Sequence, residues 1–188
     1  MTPINLTYYT GDGVALTGVE ASLYGRNDVV RQATRTGIRR FVNEHRESLS
    51  GRTLDYGAGK PGTCAIPEPY RTLIAASEYF PWEPGDDDPQ SHAGYDAILC
   101  TQTLQNVDDP QQMIYNFRAW LKRGGVLVMT YPVAWEEIET ERWRFTKHGV
   151  WAMLHNNFRI TAHECLVRVV LDGALNLALV NGVVAVKS

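Results

Sequence analysis

The residues best placed to do chemistry lie in one run, Asp55-Tyr56-Gly57-Ala58-Gly59, which directly follows an apolar residue at position 54. Glycine allows a backbone turn with positive φ and lets a ligand approach the main chain closely. A turn of this kind at the carboxyl end of a strand is where open α/β sheets hold nucleotide-like cofactors. The carboxylate of Asp55 would repel a pyrophosphate and attract an ammonium or sulfonium group. The run therefore predicts a site for a positively charged, nucleotide-like cofactor.

The elements that must position this turn are predicted from the apolar pattern of the chain. Helices are expected from Asp28 to about Ser48, from Pro110 to Gly124 and, in a shorter form, from Val150 to Leu154. Strands are expected to end near Leu54 and to cover 72–77, 95–100 and 126–130, with 158–170 and 174–186 paired as a terminal hairpin. Strands that alternate with helices predict an α/β fold with a mostly parallel sheet covered on both faces.

Length and composition indicate a single globular domain. The chain has 188 residues and is expected to form one α/β domain over 28–188, preceded by an irregular arm or lid over 1–27. The net charge of −3 gives no general attraction to nucleic acid or to anionic lipid. The 3 cysteines are scattered, and neither a leader nor an apolar run of about 20 residues is found. We therefore expect a cytoplasmic protein that binds no membrane.

Two further groups of residues are interpreted as having no site of their own. Arg31, Arg35, Arg39 and Arg40 recur at helical spacing, which is typical of a solvated helix face rather than of a nucleic-acid patch. The histidines show no metal-ligand spacing with cysteines or acids, so no metal is predicted.

Three segments, taken in order, resemble the class I S-adenosylmethionine-dependent methyltransferases, especially their small-molecule, methyltransferase-11-like branch. They are the glycine turn after Asp55, the acid Glu78, and the run Tyr95–Val107 followed by Leu-Lys-Arg-Gly-Gly at 121–125. The resemblance covers about residues 28–160. It implies a Rossmann-like, doubly wound sheet, S-adenosyl-L-methionine as the cofactor, and methyl transfer as the reaction.

The same resemblance implies a role for individual residues. Asp55 would neutralise the cofactor ammonium, Glu78 would accept hydrogen bonds from the ribose hydroxyls, and Tyr79, or Phe80 beside it, would pack on the adenine. A solvent-facing Glu78 and a Tyr79 that only packs in the core are the alternatives. Thr101 and Gln102 would contact the cofactor or the methyl acceptor. The implied cofactor-binding residues are therefore Asp55, Gly57, Ala58, Gly59, Glu78, Tyr79, Thr101 and Gln102.

The methyl acceptor is expected to be a small molecule or a sugar, methylated at an O or N atom. DNA bases are disfavoured, because the chain has neither Asn/Asp-Pro-Pro-Tyr/Phe after the strand at 95–100 nor a Pro-Cys nucleophile. His148 is the candidate base if the acceptor must lose a proton, with Glu136, Glu137 and Tyr131 as alternatives. A loop histidine without a role is the other interpretation of His148. The candidate acceptor-binding residues are Tyr131, Trp135 and Trp143.

Departures from the family pattern leave alternatives open. Only 18 positions separate Glu78 from Asp96, so a helix and the third strand are expected to be reduced, giving a shortened middle region. Pro61 interrupts the usual glycine spacing. The glycines also satisfy the Gly-x-Gly-x-x-Gly dinucleotide fingerprint, so an NAD-dependent oxidoreductase is one alternative. A non-catalytic binding module of the same fold is the other.

Overall fold

The computed structural model describes residues 6–10, 15–17, 26–59, 68–83, 86, 93–133, 142–171 and 175–188. The strands are β1 (Leu6–Thr10), β2 (Ala15–Thr17), β3 (Gly51–Tyr56), β4 (Ala76–Trp82), β5 (Tyr95–Thr101), β6 (Leu121–Pro132), β7 (Phe158–Leu171) and β8 (Leu175–Lys187). The α-helices are α1 (Arg26–Glu44), α2 (Pro110–Trp120) and α3 (Lys147–Leu154).

The strands form one sheet in the order β2-β1-β7-β8-β6-β5-β3-β4. Strands β4, β3, β5 and β6 are parallel to one another, whereas β8 is antiparallel to both β6 and β7. The predicted α/β, Rossmann-like fold with a C-terminal antiparallel hairpin is confirmed. The parallel part of the sheet consists of β4, β3, β5 and β6. β1 and β2 extend the sheet on its antiparallel side, beyond β7.

The sequence predicts an irregular N-terminal arm, but parts of this arm form the strands β1 and β2. β1 pairs antiparallel with β7, from Leu6 opposite Leu171 to Thr10 opposite Val167, and β2 pairs with β1. The helix α1 begins at Arg26, slightly before the expected start. Backbone pairing therefore joins part of this arm to the sheet, and a function as a lid stays a prediction.

The helices cover both faces of the sheet. α1 packs on β7 and β8, where Gly182 leaves the space that the Phe41 ring occupies; a Cβ at Gly182 would lie 2.7 Å from that ring. On the other face, α2 begins after Asp109, whose side chain accepts a hydrogen bond from the Gln112 N–H (2.9 Å), with Pro110 at the first helical position. Because both faces are covered, ligands can reach the parallel strands at their carboxyl edge.

The second parallel strand lies later in the chain than the sequence predicts. Within the predicted segment 72–77, residues 72–75 form no strand and 76–77 are the start of β4, which pairs with β3 from Arg52 opposite Glu78 to Tyr56 opposite Trp82. The carboxyl end of β4 is therefore at position 82 rather than near 78. Between β4 and β5 the structure describes residues 83, 86, 93 and 94, and these four residues form no strand.

Candidate functional site

The glycine turn after β3 is held between the ends of its two neighbouring strands. Gly57 has a φ of 83° and Gly59 a φ of 79°, in the region that favours glycine. The N–H groups of Gly57 and Ala58 donate to the Trp82 carbonyl at the end of β4 (2.8 and 3.2 Å). On the other side the Thr103 side chain lies so close that a Cβ at Gly57 would overlap it. The turn thus has little room to move, and position 57 accepts only glycine.

Asp55 is fully buried beside this turn and has one unused acceptor. Its Oδ2 accepts a hydrogen bond from the Tyr79 hydroxyl (2.5 Å), whereas Oδ1 has no partner in the described part of the chain. Burial raises the pKa of Asp55 to about 7; the Tyr79 hydrogen bond lowers this pKa, and the charges of Glu83 and Glu68 raise it. A buried carboxylate oxygen without a donor is costly. An ammonium group, or a water molecule bound to one, fits this position.

The acid at the carboxyl end of β4 is Glu83 and not the predicted Glu78. Glu78 lies opposite Arg52 near the amino end of the sheet, with 3.8 Å between Oε2 and Nε, and its side chain is 64% exposed. Glu83 directly follows β4, and its carboxylate accepts a hydrogen bond from the Gly59 N–H. The structure therefore puts Glu83 beside the turn and leaves Glu78 away from it. The sequence prediction missed Glu83 because it ended the strand too early.

Tyr79 belongs to the site in a different way from the one predicted. Its hydroxyl is used by Asp55, and the Arg71 guanidinium lies 5.5 Å from the centre of its ring. A cation over an aromatic ring is a favourable contact. Tyr79 is thus a hydrogen-bond partner of the buried carboxyl, and its predicted packing on adenine finds no support in these contacts.

Thr101 and Gln102 lie where the sequence predicts, at the carboxyl end of β5. Gln102 has a φ of 51°, which is uncommon for a residue other than glycine. Its backbone N–H donates to the Thr130 carbonyl (3.1 Å), and Gln105 Nε2 donates to the Gln102 carbonyl (2.7 Å). Thr103 Oγ1, which adjoins the glycine turn, donates to the Thr101 carbonyl (2.9 Å). Strained backbone of this kind recurs at functional sites.

Tyr131 lies in the core and does not line an acceptor pocket. Its hydroxyl is 2.5 Å from His163 Nε2 and accepts a hydrogen bond from Asn181 Nδ2 (3.3 Å). Burial raises the pKa of Tyr131 to about 12. Burial, together with the charges of Lys147 and His148, lowers the pKa of His163 to about 4. Both side chains are therefore neutral near pH 7. The sequence gives no signal for this pair, since only the sheet order brings β7 within reach of β6.

The remaining acceptor-side residues lie on the segment before α3 and in its first turn. Trp143 is 42% exposed, its Nε1 donates to the Val107 carbonyl (2.9 Å), and its N–H donates to the Gln105 carbonyl (3.2 Å). These bonds attach this segment to the residues that follow β5. His148 is exposed in α3. The candidates that lie outside the described residues are Trp135, Glu136 and Glu137.

An open groove of about 390 Å³ adjoins the site between α2 and the residues that follow β5. Its wall includes Tyr56, which precedes the glycine turn, and Arg142, whose guanidinium pairs with Asp108. The volume lies in the range of small-molecule sites. The amide side chains in its wall are those of Asn106, Gln112 and Asn116.

Two other kinds of structure are not found in the described ranges. No group of three or more His, Cys, Asp and Glu residues there is arranged to hold a metal ion. No helix in that part of the chain is long and apolar enough to cross a membrane.

Residues 15–163 match a protein family described as a methyltransferase domain. No curated protein matches the sequence. Solved structures with the same fold include the magnesium protoporphyrin IX methyltransferase from Synechocystis PCC 6803 with S-adenosylmethionine bound. The two share 15% identity over 91% of this chain and 86% of that one, with a TM-score of 0.54.

Two further solved methyltransferases have the same fold. An S-adenosylmethionine-dependent methyltransferase from Aquifex aeolicus is 11% identical over 82% of this chain and 89% of that one, with a TM-score of 0.54. Another, from Mesorhizobium loti, is 14% identical over 82% of this chain and 98% of that one, with a TM-score of 0.53.

Identities this low show the fold alone, whereas the family match spans most of the chain and shows membership. The predicted methyltransferase family is confirmed, and solved structures of this fold hold S-adenosylmethionine or S-adenosylhomocysteine. The unused Asp55 oxygen and the glycine turn fit that cofactor. The chain therefore belongs to the methyltransferase-domain family and has the class I S-adenosylmethionine-dependent methyltransferase fold.

Proposed function

We propose that this protein transfers a methyl group from S-adenosyl-L-methionine to an O or N atom of a small molecule or sugar. The main support is the buried Asp55, whose Oδ1 has no partner among the described residues, beside two glycines with positive φ. An α-ammonium would satisfy that oxygen. The pyrophosphate of NAD would instead meet the negative charges of Asp55, Glu68 and Glu83. The NAD-dependent oxidoreductase is accordingly the weaker candidate.

Residues from three parts of the sheet edge would hold the cofactor. Residues 57–59 would offer the backbone to its amino-acid end, with Asp55 facing the ammonium, and Glu83 would offer two carboxylate oxygens to the ribose hydroxyls. Thr101 and Gln102 would border the methyl group. The bound cofactor supplies a methyl group already activated by its sulfonium. The chain's own task is then to align the acceptor, and alignment alone can lower a barrier by several kcal/mol.

The proposed acceptor surface combines Trp143 with the groove beside α2, because both adjoin the residues that follow β5. His148 is kept as the proposed base on this side, and Trp135 as a candidate from the sequence. Tyr131 is fully buried and has no exposed surface with which to contact an acceptor. A small acceptor agrees with the magnesium protoporphyrin IX methyltransferase, which is named for a small-molecule substrate. A cytoplasmic location stays a prediction.

Calorimetry on the purified protein tests the cofactor without knowledge of the acceptor. We expect saturable binding of S-adenosylhomocysteine with a rise in Tm, and no binding of NAD or NADH at the same concentrations. Binding of the nicotinamide nucleotides in place of S-adenosylhomocysteine would contradict the proposal. Methyl-labelled S-adenosylmethionine, offered with pools of small molecules and sugars, then separates an enzyme from a non-catalytic module: an enzyme transfers the label.

Glu83→Gln and Glu78→Gln form a matched pair that tests which acid holds the ribose. We expect Glu83→Gln to weaken S-adenosylhomocysteine binding by about tenfold or more, because a charged acceptor is lost at the carboxyl edge. Glu78→Gln should leave the affinity within about twofold, since Glu78 contacts Arg52 near the amino end of the sheet. Calorimetry measures both. The reverse order of effects would show that the acid at position 78 faces the ligand.

A further inference from the structure

Gln105 is a buried amide beside the candidate site, and its side chain forms a single hydrogen bond in the described part of the chain. It lies in a short 3₁₀-helix, Leu104–Asn106, that follows β5, and it is 2% exposed. Its Nε2 donates to the Gln102 carbonyl (2.7 Å), whereas Oε1 has no partner among the described residues. A buried polar atom without a hydrogen bond is costly and therefore requires an explanation.

The orientation of this amide is fixed by the atom that it faces. The Gln102 carbonyl can only accept a hydrogen bond, so the amino group of Gln105 must point toward it and Oε1 must point away. Exchanging the two ends of the amide would bring two oxygen atoms together. The atom left for a ligand is therefore an uncharged hydrogen-bond acceptor.

The surroundings of Gln105 belong to both halves of the candidate site. On one side, the side chain of Thr103 adjoins the glycine turn. On the other, residues 106 and 107 line the open groove beside α2. The Gln105 carbonyl also accepts hydrogen bonds from the N–H groups of Arg142 (2.9 Å) and Trp143 (3.2 Å), on the segment before α3. Gln105 therefore lies where the cofactor turn, the groove and the proposed acceptor surface meet.

Two buried oxygens that lack a partner among the described residues border the site, and their chemistry differs. Asp55 Oδ1 belongs to an acid and suits a cation, whereas Gln105 Oε1 belongs to a neutral amide. An amide oxygen accepts a hydrogen bond from a hydroxyl or amino group, but it does not take up the proton of that group. Gln105 is thus suited to hold and orient a donor group, and a base would have to be another residue.

We propose that Gln105 Oε1 accepts a hydrogen bond from a hydroxyl or amino group of the methyl acceptor, and that the protein thereby selects acceptors that carry such a donor. This inference rests on the proposed function, and it names both an acceptor-binding residue and a group that the acceptor must have. An acceptor without the donor would leave the buried oxygen unpaired. Sites built in this way discriminate strongly against analogues that lack the hydrogen-bonding group.

A set of analogues tests this contact once label transfer from S-adenosylmethionine has identified an acceptor compound. In each analogue one hydroxyl or amino group of that compound is replaced by hydrogen, and its affinity is measured as a competitive inhibitor of label transfer. The full chain is compared as the wild type, as Gln105→Met and as the control Gln111→Met. Gln111 lies in α2 and is not one of the residues that line the groove. Calorimetry measures S-adenosylhomocysteine binding to all three proteins.

We expect one analogue to bind the wild type about tenfold to a hundredfold more weakly than the acceptor itself. Gln105→Met should raise the KM of the acceptor by a similar factor and should bind that analogue and the acceptor about equally. It should keep the affinity of the wild type for S-adenosylhomocysteine. Gln111→Met should behave like the wild type in every measurement.

The wild type alone can overturn the proposal, since every analogue would then bind as tightly as the acceptor. The proposal would also be wrong if Gln105→Met discriminated between analogue and acceptor as the wild type does. Equal losses of S-adenosylhomocysteine and acceptor binding in that variant would show that Gln105 acts only by supporting Gln102. In these three cases label transfer, and with it the proposed function, would stand. A wild type that transfers no label to any compound would contradict the proposed function and this inference together.

Discussion

Replacing Gly57 by alanine is expected to abolish cofactor binding and to lower the free energy of unfolding by about 2–4 kcal/mol. The added Cβ would overlap the Thr103 side chain, and the φ of 83° is unfavourable for alanine. Either the turn or the residues after β5 must then move, and both border the site. Denaturant unfolding and calorimetry with S-adenosylhomocysteine measure the two effects.

Gly124→Ala is the matched control for this substitution. Gly124 has a similar φ of 75°, but a Cβ there would meet no atom within 4 Å. We expect it to lose only the cost of the backbone conformation, about 1 kcal/mol, and to bind S-adenosylhomocysteine normally. Equal losses of stability and binding in both variants would show that crowding at Thr103 is unimportant.

Asp55→Asn is expected to stabilise the free protein above pH 7 while weakening S-adenosylhomocysteine binding about tenfold to a hundredfold. The stabilisation arises because ionised Asp55 is buried with one oxygen that has no partner among the described residues. The loss of binding arises because an amide cannot neutralise an ammonium. Opposite changes in stability and binding would identify a group kept for ligand binding rather than for folding.

The pH dependence of stability tests the same carboxyl. The pKa of Asp55 rises from 3.8 to about 7 on folding, so the folded state holds this proton more tightly. Protonation of Asp55 therefore stabilises the folded state, and this contribution to the free energy of unfolding is complete below pH 3.8. It is lost as the pH rises through 7, and the loss amounts to at most about 4 kcal/mol. We therefore expect the free energy of unfolding, measured with denaturant, to decrease less between pH 5 and pH 8 for Asp55→Asn than for the wild type.

Asp96→Asn provides the control for removing an acid. Asp96 lies near the amino end of the sheet, where Oδ1 is 2.6 Å from Lys122 Nζ and Oδ2 accepts a hydrogen bond from the Arg52 N–H. That hydrogen bond with Lys122 and the one from Arg52 lower the pKa of Asp96. We expect Asp96→Asn to lower the free energy of unfolding by less than about 1 kcal/mol and to leave S-adenosylhomocysteine binding unchanged. The interpretation of Asp55 would be wrong if both variants lost binding alike.

Elements with strong local signals could be predicted closely. β5 and the start of α2 lie where the apolar run at 95–100 and the sequence Asp109-Pro110 indicate. Apolar runs and helix caps act over a few residues, so their effect can be recognised without knowledge of the fold. The glycine turn can also be recognised from local sequence, because its positive φ values occur at glycines, which adopt them readily.

The position of β4 could not be predicted in this way. Its residues Tyr79, Phe80 and Trp82 suit a strand, but so does the earlier segment, and pairing with β3 selects between them. Since pairing sets the level of each residue along the sheet, this choice also decided that Glu83 and not Glu78 reaches the carboxyl edge.

The sequence by itself determined the class of fold, the family and the acid–glycine turn, because each depends on residue types at short spacing. Tertiary structure alone decided which side chains meet at that turn. In the folded chain Asp55 is buried, its Oδ2 accepts a hydrogen bond from the Tyr79 hydroxyl, and the Tyr131 hydroxyl contacts His163 of β7. These contacts join residues 24 and 32 positions apart, and such distances close only when strands pair across a sheet.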